Sequence, residues 1–418
     1  MAKNYDVIVI GARCAGSPTA MLLARRGYRV LVLDRASFPS DTLSTHVIQP
    51  KGVAALARWG LLEAVAATGC PPVLSQTFDF GAFSLRGTPR PVEGNSTVYA
   101  PRRTVLDKIL VDAAAAAGAE IREHVTIEEV LRSDDGAVIG VAGRDRTGAR
   151  LTEHAQVVIG ADGRNSMVAK AMRPAEYLTK PQLQHSYFSY WANLPVDGFE
   201  IYIRPDRGWG AIATNDGLTM VVEGWPISER DDYRADVEGN FLKTFDLVPA
   251  WAERIRAAER VEKFTGGGVR NFFRTPYGPG WVLVGDAGYN KDPITAQGIS
   301  DAFRDAELCT AALDATFRGQ VGYAEAMAGY QAARDADVVP MYEFTTQLAT
   351  LEPPPPEVQQ VLAAVAGNQA ATDDFVGVAA GTVSPAEFFA PDNVGRIMAA
   401  GPAIPAQSGG ASQMTSSA

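Results

Sequence analysis

A glycine-containing turn near the N-terminus is the first segment whose residues suit a chemical task. Gly11-Ala-Arg-Cys-Ala-Gly16 follows a short apolar run, and Asp34 stands 18 positions after Gly16. Glycines permit a tight turn, N–H groups at a helix N-terminus attract phosphate, and a carboxylate about 20 residues further on accepts a ribose hydroxyl. The pattern predicts a dinucleotide-binding turn, with an ordinary βαβ turn as the alternative. The predicted contacts are Gly11, Ala12, Arg13, Cys14, Ala15, Gly16, Asp34 and Arg35.

Two side chains of this turn carry chemistry of their own. Arg13 stands where a complete fingerprint has its middle glycine. We hypothesise that the Arg13 guanidinium points toward the pyrophosphate and offsets the lost glycine, so that Arg13→Ala weakens dinucleotide affinity. Cys14 has two interpretations, a redox thiol or a small packed residue.

Two later segments narrow the dinucleotide to FAD. They are Val157-Val-Ile-Gly-Ala-Asp-Gly-Arg-Asn-Ser166 and Trp281-Val-Leu-Val-Gly-Asp-Ala-Gly-Tyr-Asn-Lys-Asp-Pro-Ile-Thr-Ala-Gln-Gly298. Together with the glycine turn they resemble the para-hydroxybenzoate-hydroxylase-like flavoproteins, over about residues 5–345. That family includes FAD aromatic hydroxylases, flavin halogenases and geranylgeranyl-reductase-like enzymes.

The resemblance implies a role for four further residues. It assigns Asp286 to the ribityl chain of FAD and Asp162 to the motif that serves both FAD and NAD(P)H. It places Arg103 near the ribityl and phosphate groups, and Val125 as a backbone contact to adenine. The chain departs from the family pattern at three positions, with Tyr289 in place of His, Ala296 in place of Gly and Ser300 in place of Asn.

The residues of the third motif independently suit a flavin. Gly285-Asp286 ends an apolar strand, where ligands of open α/β sheets bind. Pro293 stiffens a loop that can lie against a flat ring. Gln297, Gly298 and Ile299 open a helix whose N–H groups can hold the flavin pyrimidine edge, and whose dipole favours the charge of the reduced ring.

His46 is the candidate catalytic side chain. It lies in Phe38-Pro-Ser-Asp-Thr-Leu-Ser-Thr-His-Val-Ile-Gln-Pro50, a loop that in this fold class passes near the flavin and the substrate. A neutral imidazole there orients substrate or exchanges a proton near neutral pH; the alternative is a structural, hydrogen-bonded histidine. Aromatic residues between positions 187 and 225 form either the roof of an apolar substrate site or ordinary sheet core.

Composition limits the other possibilities. The 418 residues carry a formal charge of −10, which argues against a nucleic-acid partner, and no run approaches the roughly 20 apolar residues of a membrane span. The four histidines and three cysteines are not spaced as metal ligands or as a disulfide framework. We therefore expect a cytoplasmic protein without a metal or secretion signal, and leave monomer and homodimer open.

The elements that position these residues predict an α/β fold. We expect a Rossmann-type FAD-binding lobe, an interleaved and mostly antiparallel β-sheet substrate lobe, and a C-terminal helical extension. The predicted FAD lobe comprises 1–72, 100–175 and 270–345; the substrate lobe 73–99 and 176–269; the helical extension 346–404; and a disordered tail 405–418.

The favoured function is an FAD-dependent monooxygenase. NAD(P)H would reduce the flavin, O₂ would form a C4a-hydroperoxide, and oxygen would pass to an aromatic or other electron-rich small molecule. The alternative is an FAD-dependent reductase of prenyl or other apolar chains. A halogenase is disfavoured because only the fragment Gly224-Trp-Pro226 matches the tryptophan-rich signature of that branch; a non-catalytic FAD-binding protein is the remaining class.

Overall fold

A computed structural model describes residues 4–400 of the chain, so the predicted disordered tail at 405–418 lies outside the described residues. The strands are β1 (Asn4–Ile10), β2 (Val30–Leu33), β3 (Gln76–Asp79), β4 (Ser84–Gly87), β5 (Glu120–Arg122), β6 (Thr126–Arg132), β7 (Val138–Arg144), β8 (Arg150–Gly160), β9 (Glu176–Lys180), β10 (Gln184–Ala192), β11 (Phe199–Arg204), β12 (Arg207–Ala213), β13 (Thr219–Pro226), β14 (Glu259–Arg260), β15 (Thr265–Gly267), β16 (Asn271–Arg274), β17 (Tyr277–Gly278), β18 (Trp281–Leu283) and β19 (Tyr289–Asn290).

The helices connect and cover these strands. They are α1 (Gly16–Ala24), α2 (Pro50–Trp59), α3 (Leu62–Ala66), α4 (Arg103–Ala116), α5 (Met167–Met172), α6 (Arg230–Ala235), α7 (Val237–Thr244), α8 (Pro249–Ala257), α9 (Gly298–Phe317), α10 (Tyr323–Leu348), α11 (Pro356–Val365), α12 (Gln369–Ala379), α13 (Pro385–Phe388) and α14 (Pro391–Ala400).

A mostly parallel sheet carries the glycine turn. Its order is β17-β18-β8-β1-β2-β5, in which β1 pairs in parallel with β2 and β8, and the hairpin β6–β7 continues from β8. Val7, Ile8 and Val9 are fully buried because helices and strands cover both faces of β1. That burial explains why β1 reads as a continuous apolar run.

A second sheet lies beside the first. Its order is β14-β10-β13-β12-β11-β3-β4, with β15 against β10, and it is antiparallel except where β3 and β11 pair in parallel. Along β13, Val221, Glu223 and Trp225 face an aromatic cluster under α6–α8, whereas Met220 and Val222 face the opposite side. This alternation gives the sheet one face closed by its own helices and one face available for a ligand.

Residues 346–400 are mostly helical, and α10 runs across the predicted boundary at residue 345. Helices α11–α14 pack on the β3–β4 hairpin through a cluster that includes Phe78, Phe375 and Phe388. The predicted division into lobes stays a prediction, but the sheet does join strands from 73–99 with strands from 176–269. Within residues 4–400, no helix combines the length and apolar character required to cross a bilayer.

Candidate functional site

The glycine turn connects β1 to α1 by a close backbone approach. The Gly11 N–H donates to the Leu33 carbonyl at 2.9 Å, which ties the turn to β2. A Cβ built on Gly16 would lie 1.8 Å from the Gly11 carbonyl oxygen, so no side chain can be accommodated there. Gly16 is therefore required for α1 to start directly against the turn, as the sequence pattern predicts.

Asp34 fixes the second part of this turn. The carboxylate accepts the N–H of Ala12 at 2.7 Å and the N–H of Ala36 at 2.8 Å, while its own carbonyl accepts the N–H of Val125 at 2.9 Å. Arg35 is exposed beside it. The structure thus brings Asp34, Arg35 and Val125 to one end of the turn.

A buried charge cluster stands on the other side of the turn. The fully buried Asp107 carboxylate accepts hydrogen bonds from Arg13 Nη1 at 2.5 Å and from Arg103 Nη2 at 2.9 Å. Two guanidinium groups against one carboxylate leave one net positive charge next to the turn. Asp107 is a site residue that the sequence reasoning missed; its spacing of four positions from Arg103, which places both on one face of a helix, was the available signal.

The cluster also defines the positions of Arg13 and Cys14. Arg13 contacts Asp107 and the Ser40 hydroxyl, and its guanidinium lies over the Phe38 ring at 5.3 Å. The buried Cys14 thiol donates to Asp107 at 3.4 Å, and burial raises the pKa of this thiol well above its usual range. A thiol with so little thiolate character matches the packed-residue interpretation of Cys14 rather than the redox one.

The second and third motifs each present a carboxylate. Asp286 is exposed and accepts no hydrogen bond from residues 4–400; desolvation by surrounding protein atoms raises its pKa to about 6, against the opposing charges of Arg103 and Arg164. Asp162 accepts the N–H of Met167 at 2.6 Å through Oδ2, and its buried Oδ1 has no partner among the described residues. Both motifs therefore keep acceptor capacity for a ligand.

The loop before α9 leaves the first N–H groups of this helix without an acceptor among the described residues. Pro293–Thr295 forms a short 3₁₀ turn, and Ala296 follows in the left-handed region at φ 51°. This conformation explains why the family pattern has glycine at that position. Gly298 is exposed, and neither its N–H nor that of Ile299 finds an acceptor within the described chain.

Gln297 differs from its neighbours in what it contacts. Its side-chain amide donates to the Ala379 carbonyl at 2.8 Å, so it connects the start of α9 to α12 in the C-terminal helices. We refer to residues 292–299 as the α9 entry loop. The loop thus offers backbone donors on one side and is attached to the helical extension on the other.

His46 is buried in the loop between β2 and α2. Its ring is fully buried, Nε2 pairs with the Tyr190 hydroxyl, and Nδ1 has no partner within residues 4–400. Burial, together with the positive charges of Arg103 and Arg102, lowers the pKa of His46 to about 3. The imidazole is therefore neutral at physiological pH, which suits an orienting or structural role and not proton exchange near pH 7.

A large cavity opens beside the α9 entry loop. Its volume is about 1070 Å³, and its walls come from the free face of the second sheet, the loop around Val47, residues 293–296 and the C-terminal helices. The lining is largely apolar, and Phe78, Ile201 and Val222 are typical of it. Sequence reasoning did not predict this site, because its walls come from segments far apart in the chain. Within the described residues, no three His, Cys, Asp or Glu side chains gather as a metal site requires.

Comparison with known proteins assigns the family. Residues 4–345 match the family described as "FAD binding domain". The chain belongs to this FAD-binding family. A digeranylgeranylglycerophospholipid reductase 1 of Methanopyrus kandleri is 30% identical over 72% of this chain and 77% of its own length. A tryptophan 2-halogenase of Chondromyces crocatus is 23% identical over 79% of this chain and 65% of its own length.

Solved structures of similar fold are flavoproteins as well. A flavoprotein/dehydrogenase from Cytophaga hutchinsonii superposes with a TM-score of 0.81 at 20% identity, covering 95% of this chain and 99% of that one. PqsL of Pseudomonas aeruginosa, described as "a probable FAD-dependent monooxygenase", superposes with a TM-score of 0.69 at 21% identity, covering 90% and 99%. At these identities the likeness concerns the fold, and it confirms the α/β, Rossmann-type class.

The residues of this FAD-binding protein fit the cofactor that the family implies. Gly16 lets the N-terminus of α1 start directly against the turn, where its dipole suits a pyrophosphate, and the cluster around Asp107 supplies one positive charge beside it. The unpartnered Asp286 suits the hydroxyls of a ribityl chain, and the free N–H groups at the start of α9 suit the carbonyl edge of a flavin. The individual residue roles stay predictions.

Proposed function

We propose that this FAD-dependent oxidoreductase is a monooxygenase, which uses NAD(P)H and O₂ to oxygenate an aromatic or other electron-rich small molecule. The observation that carries the proposal is the cavity of about 1070 Å³, apolar in its lining, which meets the α9 entry loop at Pro293–Ala296. Such a cavity holds a substrate next to the flavin position and keeps bulk water away from it.

Bound FAD supplies the redox chemistry, since it takes hydride equivalents from NAD(P)H and activates O₂ when reduced. The chain contributes binding and electrostatics. The N-terminus of the 20-residue helix α9 presents a positive dipole end, which would stabilise negative charge on the reduced ring of a bound flavin. Neutral His46, paired with Tyr190, supports the cavity wall between Thr45 and Val47 without bringing a charge into it.

An FAD-dependent reductase of prenyl or other apolar chains is the second candidate. Its support is the Methanopyrus reductase, which is 30% identical to this chain. An apolar cavity of this size would hold a prenyl chain as well as an aromatic molecule. A halogenase receives less support from the residues, because Trp225 is fully buried between the rings of Tyr187 and Tyr233 in the aromatic cluster.

One experiment separates these activities. FAD-loaded protein is incubated with NADH or NADPH, chloride and bromide, and ¹⁸O₂, together with a panel of phenols, indoles, anilines and prenyl alcohols, and product masses are measured. We expect a product that has gained one ¹⁸O atom. A gain of two hydrogens without oxygen would establish the reductase, a gain of halogen would establish the halogenase, and either would overturn the monooxygenase proposal.

A further inference from the structure

The volume of the cavity limits the kind of molecule that it can bind. At about 1070 Å³ it lies at the upper end of the range of ligand sites, about 300–1000 Å³. Its lining includes residues of both the α9 entry loop and the proline segment 353–355. A single-ring phenol would leave most of this volume unfilled, and unfilled apolar volume forfeits the contacts on which binding depends.

The charges around the cavity disfavour an anionic ligand. The cationic side chains in its lining each pair with a carboxylate, as Lys180–Glu343, Arg204–Asp79 and Arg207–Glu229. The remaining lining charges, Glu352 and Glu357, are exposed beside the proline segment and have no cationic partner within residues 4–400. An incoming carboxylate or phosphate therefore meets two negative charges and no unpaired positive one.

Two buried amides provide polar recognition within the cavity. Gln49 and Gln76 line the cavity, and each is only 2% exposed. Gln49 Oε1 and Gln76 Nε2 have no hydrogen-bond partner in the described part of the chain. Leaving such buried groups unpaired is unfavourable, because they lose their hydrogen bonds to water on burial, so both positions call for a partner.

Gln49 also connects this recognition to the flavin side of the cavity. Its Nε2 donates to the Thr295 carbonyl at 3.4 Å, and its backbone N–H donates to the Ser300 hydroxyl at 3.1 Å. Both partners belong to the α9 entry loop or the first turn of α9. A ligand group bound to Gln49 Oε1 is thereby held near the reacting end of the cavity.

From these observations we infer that the substrate is a bulky, uncharged, largely apolar molecule, larger than one aromatic ring, with a hydroxyl or comparable donor for Gln49 and an acceptor for Gln76. The inference rests on the proposed function only for the statement that Gln49 marks the reacting end. The substrate class is otherwise set by the volume, the paired charges and the two amides.

Binding is measured directly, so that the outcome does not depend on turnover. FAD-loaded protein is titrated by calorimetry with estrone, a neutral tetracyclic phenol, and with 3-deoxyestrone, estrone sulfate and phenol. We expect estrone to bind at least tenfold more tightly than phenol or estrone sulfate, and several-fold more tightly than 3-deoxyestrone. Equal or tighter binding of phenol or estrone sulfate would overturn the inference, as would the absence of estrone binding to protein that has taken up FAD.

Variants test the two amides separately. Gln49→Leu and Gln76→Leu should each weaken estrone binding tenfold, while FAD content stays unchanged. Gln49→Leu should also reduce the preference for estrone over 3-deoxyestrone, because Gln49 Oε1 is the acceptor for the hydroxyl, whereas Gln76→Leu should leave that preference intact. Gln320→Leu, at an exposed position outside the cavity, is the matched control and should bind as the wild type. Unchanged estrone affinity in both cavity variants would overturn the role of the amides, and unchanged discrimination in Gln49→Leu would overturn the hydroxyl assigned to Gln49. Failure of ¹⁸O incorporation with normal estrone binding would instead count against the monooxygenase proposal alone.

Discussion

Asp107 is the residue on which the electrostatics of the glycine turn depend. Its buried carboxylate is shared by Arg13 and Arg103, so Asp107→Asn leaves two guanidinium groups without a counter-charge. Breaking a buried ion pair costs about 3–5 kcal/mol. We expect Asp107→Asn to lower the free energy of unfolding by about 3 kcal/mol and to weaken FAD binding roughly tenfold, as measured by urea denaturation and flavin fluorescence quenching.

Asp112→Asn is the matched control on the same helix. Asp112 is exposed and also accepts from a basic residue four positions before it, Lys108. Surface pairs of this kind contribute about 0.3–0.5 kcal/mol. Equal effects of the two substitutions would show that burial of the Asp107 cluster contributes nothing, and would contradict the interpretation given to Arg13 and Arg103.

The burial of His46 predicts how the stability of the protein depends on pH. Its pKa is about 3 in the folded protein, whereas an unfolded histidine titrates near 6.5. Because the unfolded chain binds a proton that the folded protein does not, the contribution of His46 is fully present above about pH 6.5 and is lost as the pH falls toward 3. Between about pH 6.5 and 5, the wild type should lose about 2 kcal/mol more stability than His46→Asn.

The measurement is the urea midpoint of the FAD-loaded protein at both pH values. His124→Asn is the control, since His124 is exposed and shares the left-handed backbone of His46, with φ of 59° and 61°. Asparagine tolerates that conformation, so both substitutions keep the backbone. A His46→Asn protein with the same pH slope as the wild type would show that the histidine is not held neutral by burial.

At the scale of elements, Gly87 sets how closely α12 approaches β4. A Cβ at Gly87 would lie 2.6 Å from Asp373 Oδ1, which accepts the Thr88 N–H at 3.0 Å. Gly87→Ala should therefore push α12 away and destabilise the packing of the C-terminal helices by about 1–3 kcal/mol. The expected result is faster thermolysin cleavage in the segment 350–358, with FAD content unchanged.

Gly329→Ala provides the opposite expectation for the same chemical change. Gly329 is exposed on α10, and nothing lies within 4 Å of a Cβ placed there. Alanine favours a helix over glycine by about 1 kcal/mol, so this variant should be slightly stabilised and should resist thermolysin as the wild type does. Unchanged cleavage in Gly87→Ala would mean that α12 is not held by this contact.

Elements with a strong local signal were predictable from the sequence, and contacts between distant segments were not. Helix α9 begins at Gly298, where the sequence predicts that a helix opens, and β1 follows from an apolar run buried on both faces. The C-terminal helices were also expected, but their packing on β3–β4 joins Gly87 to Asp373 across 286 positions, which no local pattern encodes. The cavity depends on that packing, so Gln49 and Gln76 could not be recognised as neighbours of one site.

At the scale of the whole molecule, the net negative charge repels an anionic dinucleotide, whereas the groups around the glycine turn attract it. The formal charge is −10, whereas the cluster around Asp107 and the N-terminus of α9 are locally positive. Salt concentration distinguishes the repulsion by the net charge from the attraction by the local positive groups, because the Debye length falls from about 30 Å at 0.01 M to about 3 Å at 1 M. Distant carboxylates lose their effect over this range, while groups in direct contact with a ligand retain most of theirs.

We therefore expect the association rate of FAD with apoprotein to rise, by roughly twofold or more, as salt increases across this range. Stopped-flow quenching of flavin fluorescence gives the rate, and riboflavin, which lacks the phosphates, is the control whose rate should not change. A fall in the FAD rate with salt would mean that the local positive groups reach beyond the cleft and steer the ligand. In that case Asp107→Asn, which adds a positive charge at the turn, should accelerate association at low salt.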